Sequence, residues 1–165
     1  MNYYQARIAY DTAQLLEELK KIYETKEGVT VTKGNVIMKA YQDSMWVDNW
    51  LKIHNEYIKL PHEYELAPSA LKLRVQISEE VEVGIKSLKE IIAKQFKHKI
   101  TIGVCLRLIF KAAYLKNTNA ELVDNELPNI IFEKYKKELK KIFENANSEV
   151  ENLLERLQKE ISKKV

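Results

Sequence analysis

Apolar and polar residues alternate with period two at two places, Tyr4-Gln5-Ala6-Arg7-Ile8 and Leu73-Arg74-Val75-Gln76-Ile77. That period predicts a strand with one apolar face and one polar face. The polar faces carry Gln5 and Arg7 in the first run, and Lys72, Arg74 and Gln76 in the second. Helical spacing follows each strand. After the first, Leu15, Leu16, Leu19, Ile22 and Tyr23 form a stripe, and Asp11 or Thr12 is the expected N-cap. After the second, Val81, Ile85, Leu88, Ile91 and Ile92 form the stripe. Ser78 caps it, and Glu79, Glu80 and Glu82 stand where the helix dipole favours acids. A further helix comes next in both places, with Thr32 or Thr101 as N-cap, two residues before Gly34 or Gly103. Its stripe is Val36, Ile37, Ala40 and Tyr41 in one case, and Cys105, Leu106, Ile109, Phe110 and Ala113 in the other.

Sliding the chain by 69 residues superimposes these two series without a gap. Leu16, Leu19 and Ile22 fall on Ile85, Leu88 and Ile91; Val31-Thr32 falls on Ile100-Thr101, and Gly34 on Gly103. Identities are few, and Leu15 falls on Gly84 and Gly28 on Lys97, but the order of elements predicts a duplication. The expected organisation is a first copy over 1–44, a connector over 45–70, a second copy over 71–116 and a tail over 117–165. In the connector, Met45 to Leu60 reads as helix, with Trp46, Val47, Trp50, Ile53 and Tyr57 at helical spacing and Pro61 as its end. From Pro128 onward, Ile131, Tyr135, Leu139, Ile142, Ala146, Val150, Leu153, Leu157 and Ile161 recur at steps of three or four among alternating Lys and Glu. That is the pattern of one long helix made for self-association or a partner helix.

Composition agrees with a mainly α fold holding a short two-stranded ribbon. The 165 residues include only 4 Gly and 3 Pro, too few for the turns of an all-β protein. One cysteine, Cys105, forms no internal disulfide. No apolar run approaches the ~20 residues of a membrane helix, and the first residues lack the basic and apolar regions of a signal peptide. A cytoplasmic protein without membrane attachment is expected. His54, His62 and His98 are far apart, no Gly-rich phosphate loop or nucleophile motif occurs, and Cys105 sits on an apolar stripe. Neither a metal, a cofactor nor an enzymatic reaction is expected.

The net charge of +3 is unevenly spread. Residues 71–116 carry 10 basic and 4 acidic side chains, while 1–45 balance at 6 and 6. A local excess of this kind attracts polyanions even when the whole chain is nearly neutral. An exposed strand face of Gln and Arg has the right chemistry for the DNA major groove. There Arg pairs with guanine O6 and N7, and Gln with adenine N6 and N7. Gln5, Arg7, Arg74 and Gln76 are the candidate base readers. The helix starts Thr32-Lys33-Gly34 and Thr101 to Gly103 offer free backbone N–H groups to flanking phosphates, and Lys97, His98 and Lys99 add charge beside the second. Each feature alone also suits an ordinary amphipathic strand or capped helix; their occurrence in one order, twice, favours nucleic acid.

The order of one short strand and two helices, with polar residues outward on the strand and a Thr-x-Gly start to the second helix, resembles the ribbon-helix-helix DNA-binding family. The resemblance covers about residues 3–42 and 71–115. In that family two strands pair antiparallel in the major groove above a core of four helices. Two copies in one chain are similar to its tandem members, some of them relaxosome accessory proteins of conjugative plasmids. The resemblance implies base reading by Gln5, Arg7, Arg74 and Gln76, with Lys72 at the ribbon edge, and phosphate clamping by Thr32, Lys33, Gly34, Thr101 and Gly103. It implies double-stranded DNA as partner, in transcriptional repression, plasmid partition or DNA processing. The rival reading is an all-α protein-interaction or oligomerisation module without DNA binding, working through the tail and the segment of Trp46, Trp50 and Tyr57. In either reading, Leu139, Ile142, Val150, Leu153, Leu157 and Ile161 are the candidate contacts for a homo-oligomer or protein partner.

Overall fold

The computed structural model describes residues 3–119, 135–136 and 148–163. The chain divides into two compact units, 1–118 and 119–165. In the first, strand β1 (Tyr4–Arg7) leads into helices α1 (Tyr10–Glu27), α2 (Lys33–Asp43) and α3 (Trp50–Asn55). A 3-10 turn (Pro68–Leu71) then opens β2 (Lys72–Val75), followed by α4 (Glu79–Phe96) and α5 (Ile102–Thr118). The second unit holds α6 (Ser148–Lys163). The protein is mainly helical, with a short two-stranded antiparallel sheet.

β1 and β2 pair within one chain, with Tyr4 opposite Val75, Gln5 opposite Arg74, Ala6 opposite Leu73 and Arg7 opposite Lys72. Two strands alone are marginal in water. This pair persists because its inner residues, Tyr4, Ala6, Leu73 and Val75, are buried, with β1 packed on α5. The outer residues stay exposed, as the alternation requires.

α5 is the centre of the unit and touches α1, α2, α3 and α4. Cys105, Leu106, Leu108, Ile109, Phe110, Ala112 and Ala113 are fully buried on it, so it is covered nearly all round rather than along one stripe. Lys111 is drawn in too: its Nζ donates to the His54 carbonyl at the end of α3, 3.0 Å away. Burial and the nearby Arg107 lower its pKa.

The connector departs from the expected helix over 45–60. Helix α3 is only six residues long, because Asn49 restarts the chain: its side chain accepts from Leu51 N and Lys52 N. Trp46 and Trp50 are both buried, on either side of that break. Trp46 Nε1 donates to the Ala112 carbonyl at 3.2 Å, and Trp50 N donates to Gln95 Oε1 at 2.8 Å. Beyond α3 the chain crosses α1. The Gln14 amide makes two bonds to the Tyr64 backbone, at 2.5 and 2.7 Å, and Tyr64 OH donates to Glu18 Oε2 at 2.7 Å. Burial and that bond to Glu18 raise the Tyr64 hydroxyl to about 12.

The start of α1 also differs from expectation. Its N-cap is Ala9, which supplies no side-chain bond; Asp11 lies in the first turn and Thr12 is buried. Sixty-nine residues on stands Ser78, with nearly the same backbone angles and a side chain accepting from Val81 N. Replacing Ala9 by Ser should therefore add about 1 kcal/mol and raise the melting temperature by about 2–4 °C. A calorimetric scan with no rise would contradict this reading of the helix start. The opposite ends also correspond: α1 stops at Gly28 (φ 70) and α4 at Lys97 (φ 60), both left-handed. Gly84, which breaks the repeat at Leu15, leaves room for Tyr41: a Cβ there would overlap its hydroxyl.

Candidate nucleic-acid interface

The outer face of the ribbon carries Gln5, Arg7, Lys72 and Arg74, all exposed. Gln76 follows one residue beyond β2 and is exposed as well. The register sets Arg7 beside Lys72, two like charges that disfavour the pairing. No carboxylate of the described residues forms an ion pair with Arg7, Lys72 or Arg74. A cationic face held together against its own repulsion is suited to an anionic partner. Tyr3 extends the face: it is exposed, and the Arg74 guanidinium lies 4.4 Å above its ring. Its position one step before the alternating run is the signal that places it there.

Both ends of the ribbon are closed by a helix start. A Cβ at Gly34 would overlap the Gln76 carbonyl oxygen, and one at Gly103 would lie 2.6 Å from the Arg7 carbonyl oxygen. So α2 begins against the end of β2, and α5 begins against the end of β1. These glycines are needed for close backbone approach. Thr32 and Thr101 cap as expected: each Oγ1 accepts from the backbone N–H three residues on, at 3.2 Å. Both threonines are exposed, so their hydroxyl protons remain available to an acceptor outside the protein. Among the first N–H groups, which lack helical partners, that of Gly34 belongs to a buried residue and that of Gly103 to a half-buried one. Lys33 and Ile102 lie beside them in the same first turns.

Charge at the two helix starts is unequal. Lys33 Nζ lies 3.4 Å from Glu17 Oε1, which partly neutralises it. The loop before α5 holds Lys97, His98 and Lys99, all exposed, with His98 Nδ1 donating to the Lys99 carbonyl at 2.9 Å.

No protein-family model, curated protein or solved structure matches the chain. The functional reading therefore rests on the residues themselves. Among the described residues, no group of three His, Cys, Asp or Glu is placed to hold a metal ion. Burial pushes the Cys105 thiol up to about 12, which removes the thiolate a nucleophile needs. Among the described residues no helix is long and apolar enough to cross a membrane. Of the residues expected to contact a partner through the tail, Leu153 and Leu157 are exposed and Ile161 is half-buried on α6. Val150 belongs to the same helix, while Leu139 and Ile142 lie outside the described residues.

Proposed function

We propose that residues 1–116 act as a tandem ribbon-helix-helix unit that binds double-stranded DNA sequence-specifically, without catalysing a reaction. The observation that carries this reading is a crossed pair of contacts. The shift of 69 residues that aligns the two copies takes Gly34 to Gly103 and Arg7 to Gln76. It thus converts the Gly103–Arg7 approach into the Gly34–Gln76 approach, with the copies exchanged. The register agrees: Gln5 and Arg74, directly opposed, are also 69 apart, as a two-fold axis through an antiparallel pair demands. A ribbon with a local two-fold, flanked by two equivalent helix starts, has the symmetry of a groove with a phosphate strand on either side.

In this mechanism Gln5, Arg7, Arg74 and Gln76 read base edges from the major groove, with Lys72 at the ribbon edge. Thr32 and Lys33 on one side, and Thr101 and Gly103 on the other, hold the flanking phosphates and fix the register, with buried Gly34 seating its helix start against the ribbon end. Lys97, His98 and Lys99 strengthen the second side. Repression, plasmid partition and DNA processing for conjugation are the contexts that suit such a reader, in the cytoplasm.

The test is an electrophoretic shift with random duplex DNA, followed by selection of the bound pool at two salt concentrations. Salt-sensitive binding that enriches one short motif is expected. Absence of binding at ~50 mM salt, where several phosphate contacts should hold even non-specific duplex, would sink the proposal. Lys97 provides a second check with two readouts. Lys97→Gly relieves a left-handed lysine, so stability should rise by about 0.5–1 kcal/mol. Affinity for every duplex should fall alike, and the slope of log K against log salt should become shallower by about 1. A stabilised variant with an unchanged salt slope would remove Lys97 from the interface.

A further inference from the structure

The two copies differ in what covers their first helices, and α4 is the bare one. Val83 and Ile91 on α4 are 54% and 50% exposed, with the exposed Ser87 midway between them. Sixty-nine residues earlier the same positions are Gln14, Glu18 and Ile22. There Gln14 and Glu18 are buried, and Tyr64 of the connector bonds to both. The face that α1 buries under the connector is left open on α4.

We propose that this face of α4 pairs with the α4 of a second copy, antiparallel, about a two-fold axis at Ser87. The sequence of the face is self-complementary about that residue. Val83 and Ile91 lie four positions to either side, so each apolar side chain meets the other kind in the partner. Glu80 and Lys94 lie seven positions to either side, both exposed, so an acid from each copy meets a base from the other. Ser87, exposed on the axis, is small enough for close helix approach. An isologous contact needs this self-complementarity, and the other faces of α4 do not supply it: Val81, Ile85 and Ile92 are buried in the core of their own unit. Because the connector occupies the matching face of α1, the contact closes at two copies. One helix pair buries less than the ~1,200 Å² of a standard interface, so the pairing is weak and concentration-dependent.

The test uses the full-length protein. Cys105 is buried, with its pKa raised, so the native background of oxidation is low. Ser87→Cys should form a disulfide-linked dimer under mild oxidation at least tenfold faster than Thr25→Cys, an exposed control on α1. Helices packed 8–10 Å apart bring axis-facing Cα atoms within the ~4.4–6.8 Å that a disulfide requires. Glu80→Lys, placed in the Ser87→Cys background, should bring cross-linking down to the control rate, and adding Lys94→Glu should restore it. Both changes oppose the α4 dipole, so recovery in the double variant is not an effect on helix stability. Cross-linking of Ser87→Cys no faster than the control, or insensitive to Glu80→Lys, would overturn the proposal and leave the DNA reading untouched.

Discussion

Removing both strand arginines, as Arg7→Ala with Arg74→Ala, is expected to weaken binding to the selected DNA site by on the order of 10²–10⁴-fold. A bidentate arginine–guanine pair is worth about 1–3 kcal/mol of discrimination, and the two side chains project from different strands without sharing a partner in the protein. The loss should be specific. Binding to a scrambled duplex should fall much less, since the helix starts and the Lys97–Lys99 loop remain. Folding should hardly change: Arg7→Ala relieves the like-charge pair with Lys72, and Arg74→Ala gives up only the exposed contact with Tyr3. Lysine should not substitute for either arginine, because it cannot make the forked contact. The measurement is a pair of titrations, one on the selected duplex and one on its scramble, beside a melting curve. Equal weakening on both duplexes would reduce these arginines to phosphate contacts, and no weakening would remove the ribbon from the interface.

Much of this surface is legible from residue types because strands and amphipathic helices sort their side chains by simple periods. The alternation around Gln5 and Arg7, and around Lys72 and Arg74, is the observed division of inner and outer residues. The Thr32 and Thr101 caps stand where Thr-x-Gly predicts them. What escapes the sequence depends on distant residues. Trp46 and Trp50 are spaced as one helix, yet Asn49 breaks it; both rings are buried, and the bonds of Trp46 Nε1 to α5 and of Trp50 N to α4 depend on elements distant in sequence. Gln14, Glu18 and Lys111 look like surface residues by type. Their burial depends on carbonyl, amide and hydroxyl groups supplied by the connector and α3. In the candidate site, the residue types are readable, but the roles of Gly34 and Gly103 are not. A glycine two residues after a threonine looks like part of a helix start, and only the tertiary fold reveals a strand carbonyl against each one.

Those two glycines give the second large expectation. In an ordinary helix Gly→Ala is stabilising, by about 1 kcal/mol. At Gly34 the sign should reverse, because the added methyl overlaps the Gln76 backbone oxygen, which cannot turn aside as a side-chain end can. Relief requires α2 to move away from the end of β2. Overpacking of this kind costs about 1–3 kcal/mol, a fall of about 2–4 °C per kcal/mol in the melting temperature. Gly103→Ala should behave alike but more mildly, since its methyl would sit 2.6 Å from the Arg7 oxygen. Gly28→Ala is the contrasting control: its position has open space and a φ of 70, so its cost is backbone strain without a clash against a strand carbonyl. On DNA the three should separate. Gly34→Ala and Gly103→Ala displace a helix start relative to the ribbon, so they should weaken binding beyond what their stability loss explains, measured well below the melting temperature. Gly28→Ala should lower stability and leave binding intact. Should Gly34→Ala prove more stable than the parent in urea titration, α2 would not be seated on the ribbon end, and the paired phosphate clamps would have no structural basis. A destabilised Gly34→Ala that still binds its site normally would instead separate the glycine's packing role from DNA recognition, leaving the ribbon face alone to carry it.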